Sequence, residues 1–416
     1  MTYDVEALRA HFPALRAGTA HFDGPGGSQV PDAVADAVRA ALVAGLANRG
    51  QVTPGERTAD AIVRGARSAV ADLLGAPPQG VVFGRSMTQL TFDMARALAQ
   101  SWREGDEVVV TRLDHDANIR PWTYAAAASG ATVRWATFDP STGELDDIAD
   151  LLSERTRLVA VTGASNLIGT RPPLAEIAAQ VHDVGARLFV DGVHLTAHAP
   201  VDVLALGADF FTCSPYKFLG PHCGVLAADP ALLETLQPAK LLPSSDDVPE
   251  RFELGTLPYE LLAGTTAAID FLASLSPAQD GPRRACLIDA MSLIEAHENA
   301  LCVELEAGLA ELPGVTLHSR ARHRTPTLLL TFAQCAAADA YRHLASLGVN
   351  APASSFYALE ASRRLGLGDA GGLRLGLAPY SNRSDIERLL HGLSQFLDGS
   401  AAHDVVGHDG QKPTGW

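Results

Sequence analysis

Lys217 is the residue from which the chemistry of this chain can be read. It stands in FFTCSPYKFLGP, an apolar and aromatic stretch where an ammonium group is costly to bury. Only Lys240 and Lys412 accompany it in 416 residues, and every other basic side chain is arginine. A guanidinium serves wherever positive charge suffices, but only a primary amine condenses with a carbonyl. A lysine that merely snorkels toward water is the plain alternative. Lys412 falls in a polar tail and Lys240 in a loop pattern, so neither shares this setting.

Four further segments hold residues that such an amine could work with. In RLFVDGVH (187–194), Asp191 ends an apolar run, which puts a carboxylate at the edge of a sheet. It could equally cap the turn before Gly192. In VVFGRSMTQL (81–90), a strand pattern runs into Gly84, and Ser86, Met87 and Thr88 open a helical one. Free N–H groups at a helix start, with hydroxyls beside them, seat a phosphate; a serine N-cap with no ligand has the same pattern. His115 in TRLDHDANIRPW (111–122) could stack on a flat aromatic ligand or simply occupy a loop before Pro121. Asn166 in GASNLIGT (163–170) could bond a phenolic oxygen or make a turn before Gly169. Phosphate seat, ring stacker, phenol donor, anion and amine together match pyridoxal 5′-phosphate (PLP). The anion would keep the cofactor's pyridine nitrogen protonated, so that the ring accepts a carbanion's electrons.

Such a set needs a scaffold that presents strand ends side by side. The pattern predicts strands at Val81–Phe83, Glu107–Thr111, Thr132–Trp135, Leu158–Thr162, Arg187–Asp191, Phe210–Cys213 and Gly224–Ala227. Helical periodicity separates them at Thr88–Trp102, Leu174–Val184 and Val201–Leu206. This alternation implies a mostly parallel sheet covered on both faces, with ligands beyond the carboxyl ends of its strands. From about residue 257 a long helical region reaches Leu312, with a break near Ser276–Gly281. Strands at Val315–His318, Thr327–Phe332 and Arg374–Leu377 and a helix from Ser384 to Leu397, ending at Gly399, predict a smaller α+β domain.

Composition narrows the function classes. The chain is 47% apolar and 19% charged, ordinary for a globular protein. A net charge of −16 disfavours nucleic acid and anionic membrane as partners. No uninterrupted apolar run could cross a bilayer. MTYDVEALRAHF lacks the basic and apolar regions of a signal peptide, so a cytoplasmic location is expected. Five cysteines without a CxxC pair argue against a disulfide framework or a thiolate metal cluster, so no metal is expected. No GxGxxG follows the first strand, which disfavours a nucleotide-binding oxidoreductase.

The motifs LDHDANIRPW (113–122), SNLIGT (165–170), VDGVH (190–194), CSPYKFLGP (213–221) and RFELGT (251–256) resemble the class V aminotransferase family of fold-type I PLP enzymes. Within it they are most similar to cysteine desulfurase-like members, over nearly the whole chain from HFDGPGGSQVP onward. The resemblance implies an α/β PLP-dependent transferase fold with a mostly parallel seven-stranded sheet and a small α+β C-terminal domain. It divides the chain into an N-terminal helical segment joining the small domain (1–20), a large PLP-binding domain (21–275), a small domain (276–400) and a flexible tail (401–416). It implies that Lys217 carries the cofactor as a Schiff base and moves protons at the substrate's α-carbon. By the same likeness Asp191 pairs with the pyridinium and His115 stacks on the ring. Ser86, Met87, Thr88 and Ser214 hold the phosphate, and Asn166 and His194 approach the phenolic oxygen. Desulfurases usually have glutamine where His194 stands. Thr256 would reach the phosphate of a neighbouring subunit, implying a homodimer with shared sites. Arg374 in GLRLGLAPYSN matches the arginine that binds the substrate carboxylate, and a surface arginine on a strand is its plain alternative.

One departure bears on the reaction. Cysteine desulfurases carry a sulfur-accepting cysteine on a loop before that arginine. Here the loop reads APASSFYALEASRRL, with Ser354, Ser355 and Tyr357 and no cysteine. Cys223, near Lys217, starts an apolar strand and reads as a packed thiol. The expectation is therefore a lyase acting on a carbon–sulfur or other Cβ–heteroatom bond of an amino acid, without the loop cysteine. An aminotransferase would need the same residues. An epimerase would need a second acid/base on the far face. Tyr216, Tyr357 and His194 are candidate auxiliary acids, and Tyr357, with Arg374, is a candidate substrate-binding residue. A non-catalytic binding protein of the same fold is disfavoured by the intact Lys217, Asp191 and Arg374.

Overall fold

A computed structural model describes residues 3–278 and 280–406, the stretch 400–406 by its backbone alone. Its main sheet has seven strands in the order Val81–Gly84, Gly224–Ala228, Phe210–Cys213, Arg187–Asp191, Thr156–Thr162, Glu107–Thr111 and Thr132–Ala136. Gly224–Ala228 runs antiparallel to both its neighbours, and the other pairings are parallel. β-Branched runs such as EVVVT form strands because both faces are buried. Alternation then divides their side chains. Val108 and Val110 pack with Trp122 and Phe189 on one face, while Val109 packs with Val159 and Val190 on the other. Helices Met87–Ala99 and Arg120–Ser129 cover the first face, and Pro54–Leu74, Leu174–Asp183 and Tyr259–Ala273 the second.

A four-stranded antiparallel sheet, ordered Ala353–Ser354, Gly372–Gly376, Thr327–Phe332 and Val315–Leu317, forms the smaller body. Helices Ala337–Ser346 and Arg383–Val406 pack on it. The helix Arg283–Ala310 serves both bodies. Leu287, Met291 and Ile294 enter the large core, and Leu301, Leu305 and Leu309 the small one. The chain's start also crosses between them. Leu8, Phe12 and Leu15 lie in the large core and Ala20 and Phe22 in the small, where Ala20–His21 pairs in parallel with Val349–Asn350.

Some local expectations need correction. Val201–Leu206 is a turn rather than a helix: Asp202 accepts from the Ala205 N–H through its side chain (3.0 Å), and Val203 N–H bonds back to Leu74 (2.9 Å). Pro121 does not break a loop but opens the helix Arg120–Ser129, where its missing N–H is harmless. The last helix does not end at Gly399 but runs to Val406; nothing crowds Gly399, and a helical glycine costs only about 1 kcal/mol. The expected flexible tail therefore begins as helix over 401–406, while residues 407–416, Lys412 among them, lie outside the described residues. Among the described residues no helix is long and apolar enough to cross a membrane.

Where the helix Arg283–Ala310 passes from one core to the other, Glu298 is fully buried and meets buried His198 (Oε2 to Nδ1, 2.8 Å). Breaking a buried pair by removing one partner is far costlier than losing a surface bridge. Glu298→Ala is expected to lower unfolding stability by about 3 kcal/mol, read from urea midpoints. An unchanged midpoint would show that the pair carries no stability.

Candidate active site

The carboxyl ends of the parallel strands converge on one edge, with Thr162, Asp191 and Thr212 in register there. Asp191 is buried and accepts from the Val193 N–H (3.0 Å). It is therefore both turn cap and site carboxylate. Burial pushes its pKa up to about 6, against the pull of that hydrogen bond and of Lys217. Gly192 follows it because any Cβ there would lie 1.9 Å from the Phe211 ring.

Lys217 ends the short 3₁₀ turn Pro215–Lys217, which continues from the strand Phe210–Cys213. Ser28 pins this turn: its N–H donates to the Tyr216 carbonyl (2.9 Å), and its hydroxyl oxygen accepts from the Leu219 N–H (2.8 Å). Nζ donates to the Pro25 carbonyl and lies 5.1 Å from the centre of the Tyr216 ring. Burial, then the Arg374 charge, push the Lys217 pKa down to about 7, with Asp23 and Asp191 opposing. Arginine would hold its charge at this place, whereas this lysine gives up its proton near neutrality.

His115 is held by a buried relay that the sequence spells at four-residue intervals. Asn118 Nδ2 donates to Asp114 (2.7 Å), and Trp122 Nε1 donates to Asn118 Oδ1 (3.0 Å). The His115 Nδ1 accepts from the Ala117 N–H (3.1 Å), and Tyr357 lies over the ring (centroids 5.5 Å, planes 29° apart). Burial, then Lys217 and Arg374, lower its pKa to about 4, so the imidazole is neutral at pH 7.

Asn166 Nδ2 donates to the Phe356 carbonyl (2.9 Å), while its Oδ1 is buried with no protein partner. His194 presents the same picture. Its Nε2 meets Thr327 Oγ1 (2.8 Å) and Thr325 Oγ1 (3.0 Å), and its Nδ1 is buried and unpaired. Burial, then His198, hold His194 neutral. Arg374 is not a surface residue but only 2% exposed. Its Nη2 meets Asp23 Oδ1 (2.7 Å), its Nη1 donates to the Asn166 carbonyl (3.1 Å), and its guanidinium lies 3.6 Å from the centre of the Phe356 ring.

Two connected spaces receive these groups. A small one, about 60 Å³, is bounded by Met87, Thr88, His115, Asn166, Asp191, His194 and Lys217. A larger one, about 690 Å³, opens beyond it, with Arg374, Phe356 and Tyr357 in its wall and Lys217, His115, Thr88 and Asn166 shared. The structure thus gathers most of the residues singled out from sequence. Ser86, Ser214 and Thr256 line neither space. Ser86 caps the helix Met87–Ala99, its Oγ accepting from the Gln89 N–H (3.1 Å), Ser214 is buried beneath Lys217, and Thr256 is exposed. The helix start lies hard against the sheet, since a Cβ on Gly224 would fall 2.2 Å from the Ser86 carbonyl carbon. No cysteine lines either space. Burial lifts the Cys223 thiol to about 11, leaving it a packed, inert group. Sequence reasoning missed Asp23, Asp114, Asn118 and Phe356. The i, i+4, i+8 spacing of Asp114, Asn118 and Trp122 was the available signal; Asp23 and Phe356 gave none.

The unpaired Asn166 and His194 atoms, the low-pKa amine facing a buried carboxylate, and the helix start held against Gly224 suit a flat, polar-rimmed, phosphorylated ring compound. The sequence profile of the aminotransferase class-V family matches residues 20–389. An uncharacterised protein of Mycobacterium tuberculosis is 35% identical over 95% of this chain and 100% of its own. A cysteine desulfurase of Dickeya dadantii is 32% identical over 95% of this chain and 97% of its own. Among solved structures, the cysteine desulfurase CsdA of Escherichia coli superposes with a TM-score of 0.83 at 28% identity, covering 96% of this chain and 99% of that one.

Proposed function

Because this chain belongs to the aminotransferase class-V family, whose members are PLP-dependent enzymes, we propose that it is a cysteine desulfurase-like lyase that breaks a carbon–sulfur or other Cβ–heteroatom bond of an amino acid. The observation that carries the reading is Lys217: a low-pKa amine facing buried Asp191 across a space beside His115 and Asn166. Lys217 would hold PLP covalently, and Asp191 would face its pyridine nitrogen. Met87 and Thr88 at the helix start, with Ser86 and Ser214 behind them, would take its phosphate, and His115 would lie against its ring. Asn166 and His194 would meet its phenolic oxygen. Thr256, exposed and away from its own chain's cavity, would serve the site of a second copy in a homodimer.

PLP, when bound, supplies an electron sink that stabilises negative charge at the substrate's α-carbon. The protein's residues do the rest. Arg374 takes the carboxylate and so orients the substrate. Lys217, released by the substrate's own amine, is placed to accept the Cα proton, and its low pKa keeps it a competent base near neutrality. Asp191 keeps its negative charge opposite the pyridine nitrogen. With no thiol in the cavity wall, the sulfur or other leaving group departs to solvent or to a small acceptor. A protein-bound persulfide of the desulfurase kind has no place to form here.

The test is the visible spectrum of the purified protein with a panel of amino acids, including cysteine and cysteine sulfinate. Sulfide, sulfite, pyruvate, alanine and keto acid are assayed in the same tubes. A yellow protein that responds to one amino acid and releases its β-substituent is expected. A keto acid formed with retention of that substituent would replace lyase by aminotransfer, and protein that PLP cannot colour would overturn the reading.

The amine's pKa makes a separate prediction for cofactor loading. Only the neutral amine attacks an aldehyde, so the loading rate of PLP-free protein should rise about tenfold from pH 6 to pH 8 and then level off. A lysine of ordinary pKa would give a rate still climbing at pH 9, and that result would contradict the site's electrostatics.

A further inference from the structure

The loop 354–358 stands where desulfurases carry their sulfur-accepting cysteine, and its conformation suggests a different task. Phe356 and Tyr357 are consecutive residues at positive φ, 52° and 58°. Residues with a Cβ rarely occupy that region, and two in succession persist only where the surroundings fix them. Here both carbonyls are held. The Phe356 carbonyl accepts from Asn166 Nδ2 (2.9 Å), and the Tyr357 carbonyl accepts from the Asp116 N–H (2.7 Å). The Phe356 N–H adds a bond to Ser354 Oγ (3.2 Å). A segment tied to two other site loops through its main chain is a fixed wall, unlike an arm that swings a thiol outward.

The wall's side chains meet the substrate-facing groups. The Arg374 guanidinium carbon lies over the Phe356 ring, 3.6 Å from its centre. Asn166 and Asp23 occupy Nη1 and Nη2, while Nε is buried and has no partner in the protein. One face and both terminal nitrogens of the guanidinium are therefore engaged, and Nε is the one nitrogen left without a partner. We propose that Phe356 is the positioning residue of the carboxylate site: its ring fixes the plane of Arg374, so that the free Nε–H is presented to the substrate's carboxylate. The inference rests on the carboxylate role proposed above for Arg374 and adds the residue that makes that role selective. A fixed guanidinium meets both acceptor oxygens of a carboxylate, whereas a carboxamide sets its NH2 against one of the donors, a mismatch that a guanidinium free to turn partly escapes.

The experiment compares L-alanine with L-alaninamide as equilibrium ligands of the PLP-loaded protein. The readout is the concentration giving half of the change in visible absorbance, and it requires no turnover. Wild type should prefer the acid. Phe356→Leu, which keeps apolar volume but not the flat ring, should weaken alanine about tenfold and alaninamide less than twofold. Phe356→Tyr should retain the wild-type preference, a rescue that a merely space-filling role would not single out. Should Phe356→Leu lose bound PLP, Phe356→Met fills the same space with a more adaptable side chain. A wild-type protein indifferent to acid and amide would overturn the role of Arg374 and this inference with it. A wild-type preference that Phe356→Leu or Phe356→Met retains would overturn the inference alone.

Discussion

Replacing Lys217 by alanine is expected to abolish covalent attachment of PLP and lower turnover by about four orders of magnitude. That figure is the upper end of what a positioned proton-transfer group contributes, and this side chain would be both base and covalent anchor. Among the described residues no other amine lines the site. Lys240 is engaged with the Ser244 carbonyl (3.0 Å) and Asp246 (3.0 Å), and it lines neither of the two spaces. The fold should tolerate the change, because Nζ makes one hydrogen bond, to the Pro25 carbonyl, and burial already disfavours its charge. Borohydride reduction of each PLP-loaded protein, after excess PLP is dialysed away, followed by denaturation and mass measurement, decides the matter. A variant that still gains the mass of one reduced PLP would remove the central assignment.

Asp191→Ala should have the second largest effect, with a different signature. The phosphate seat and Lys217 remain, so the protein should still take up PLP. Turnover should fall by roughly two to three orders of magnitude, the usual cost of removing one preorganised electrostatic stabiliser. Loss of the Asp191 charge also removes an influence that raises the Lys217 pKa, so the variant's cofactor loading should shift slightly to lower pH; burial and Arg374 dominate there. Steady-state turnover with the substrate found by the amino-acid panel is the measurement, and near-normal turnover would refute the role given to Asp191.

How much of this could be read in the sequence depends on how local the cause was. Arg187–Asp191, Glu107–Thr111 and Phe210–Cys213 have the predicted boundaries because buried β-branched and aromatic runs between turns have few other uses. The residues at their ends were legible for the same reason. The turn at Val201–Leu206 was not: its helical spacing was real, but Asp202 and the bond to Leu74 settled the backbone otherwise. Phe356 and Tyr357 carry none of the glycine or asparagine signals of left-handed turns, since tertiary hydrogen bonds enforce their conformation. Ser86 shows one motif carrying two readings at once. The helix start is where the pattern put it, yet the Ser86 side chain is engaged as the cap, and Met87 and Thr88 face the cavity.

The tie between the chain's two ends has a consequence for how the protein is made. Asp23 and Pro25, which hold Arg374 and Lys217, leave the ribosome early, but Arg374 follows Asp23 by 351 residues. Arg9 likewise waits for Asp385, and the Tyr3 hydroxyl for the Pro379 carbonyl. At ordinary synthesis rates that delay is roughly twenty to seventy seconds. Throughout it the large sheet can fold and take up Leu8, Phe12 and Leu15, while Asp23, Arg9 and Tyr3 still lack their partners. A binding-competent pocket therefore certifies a nascent chain made past Arg374, and products terminated before it lack the strand that completes the site.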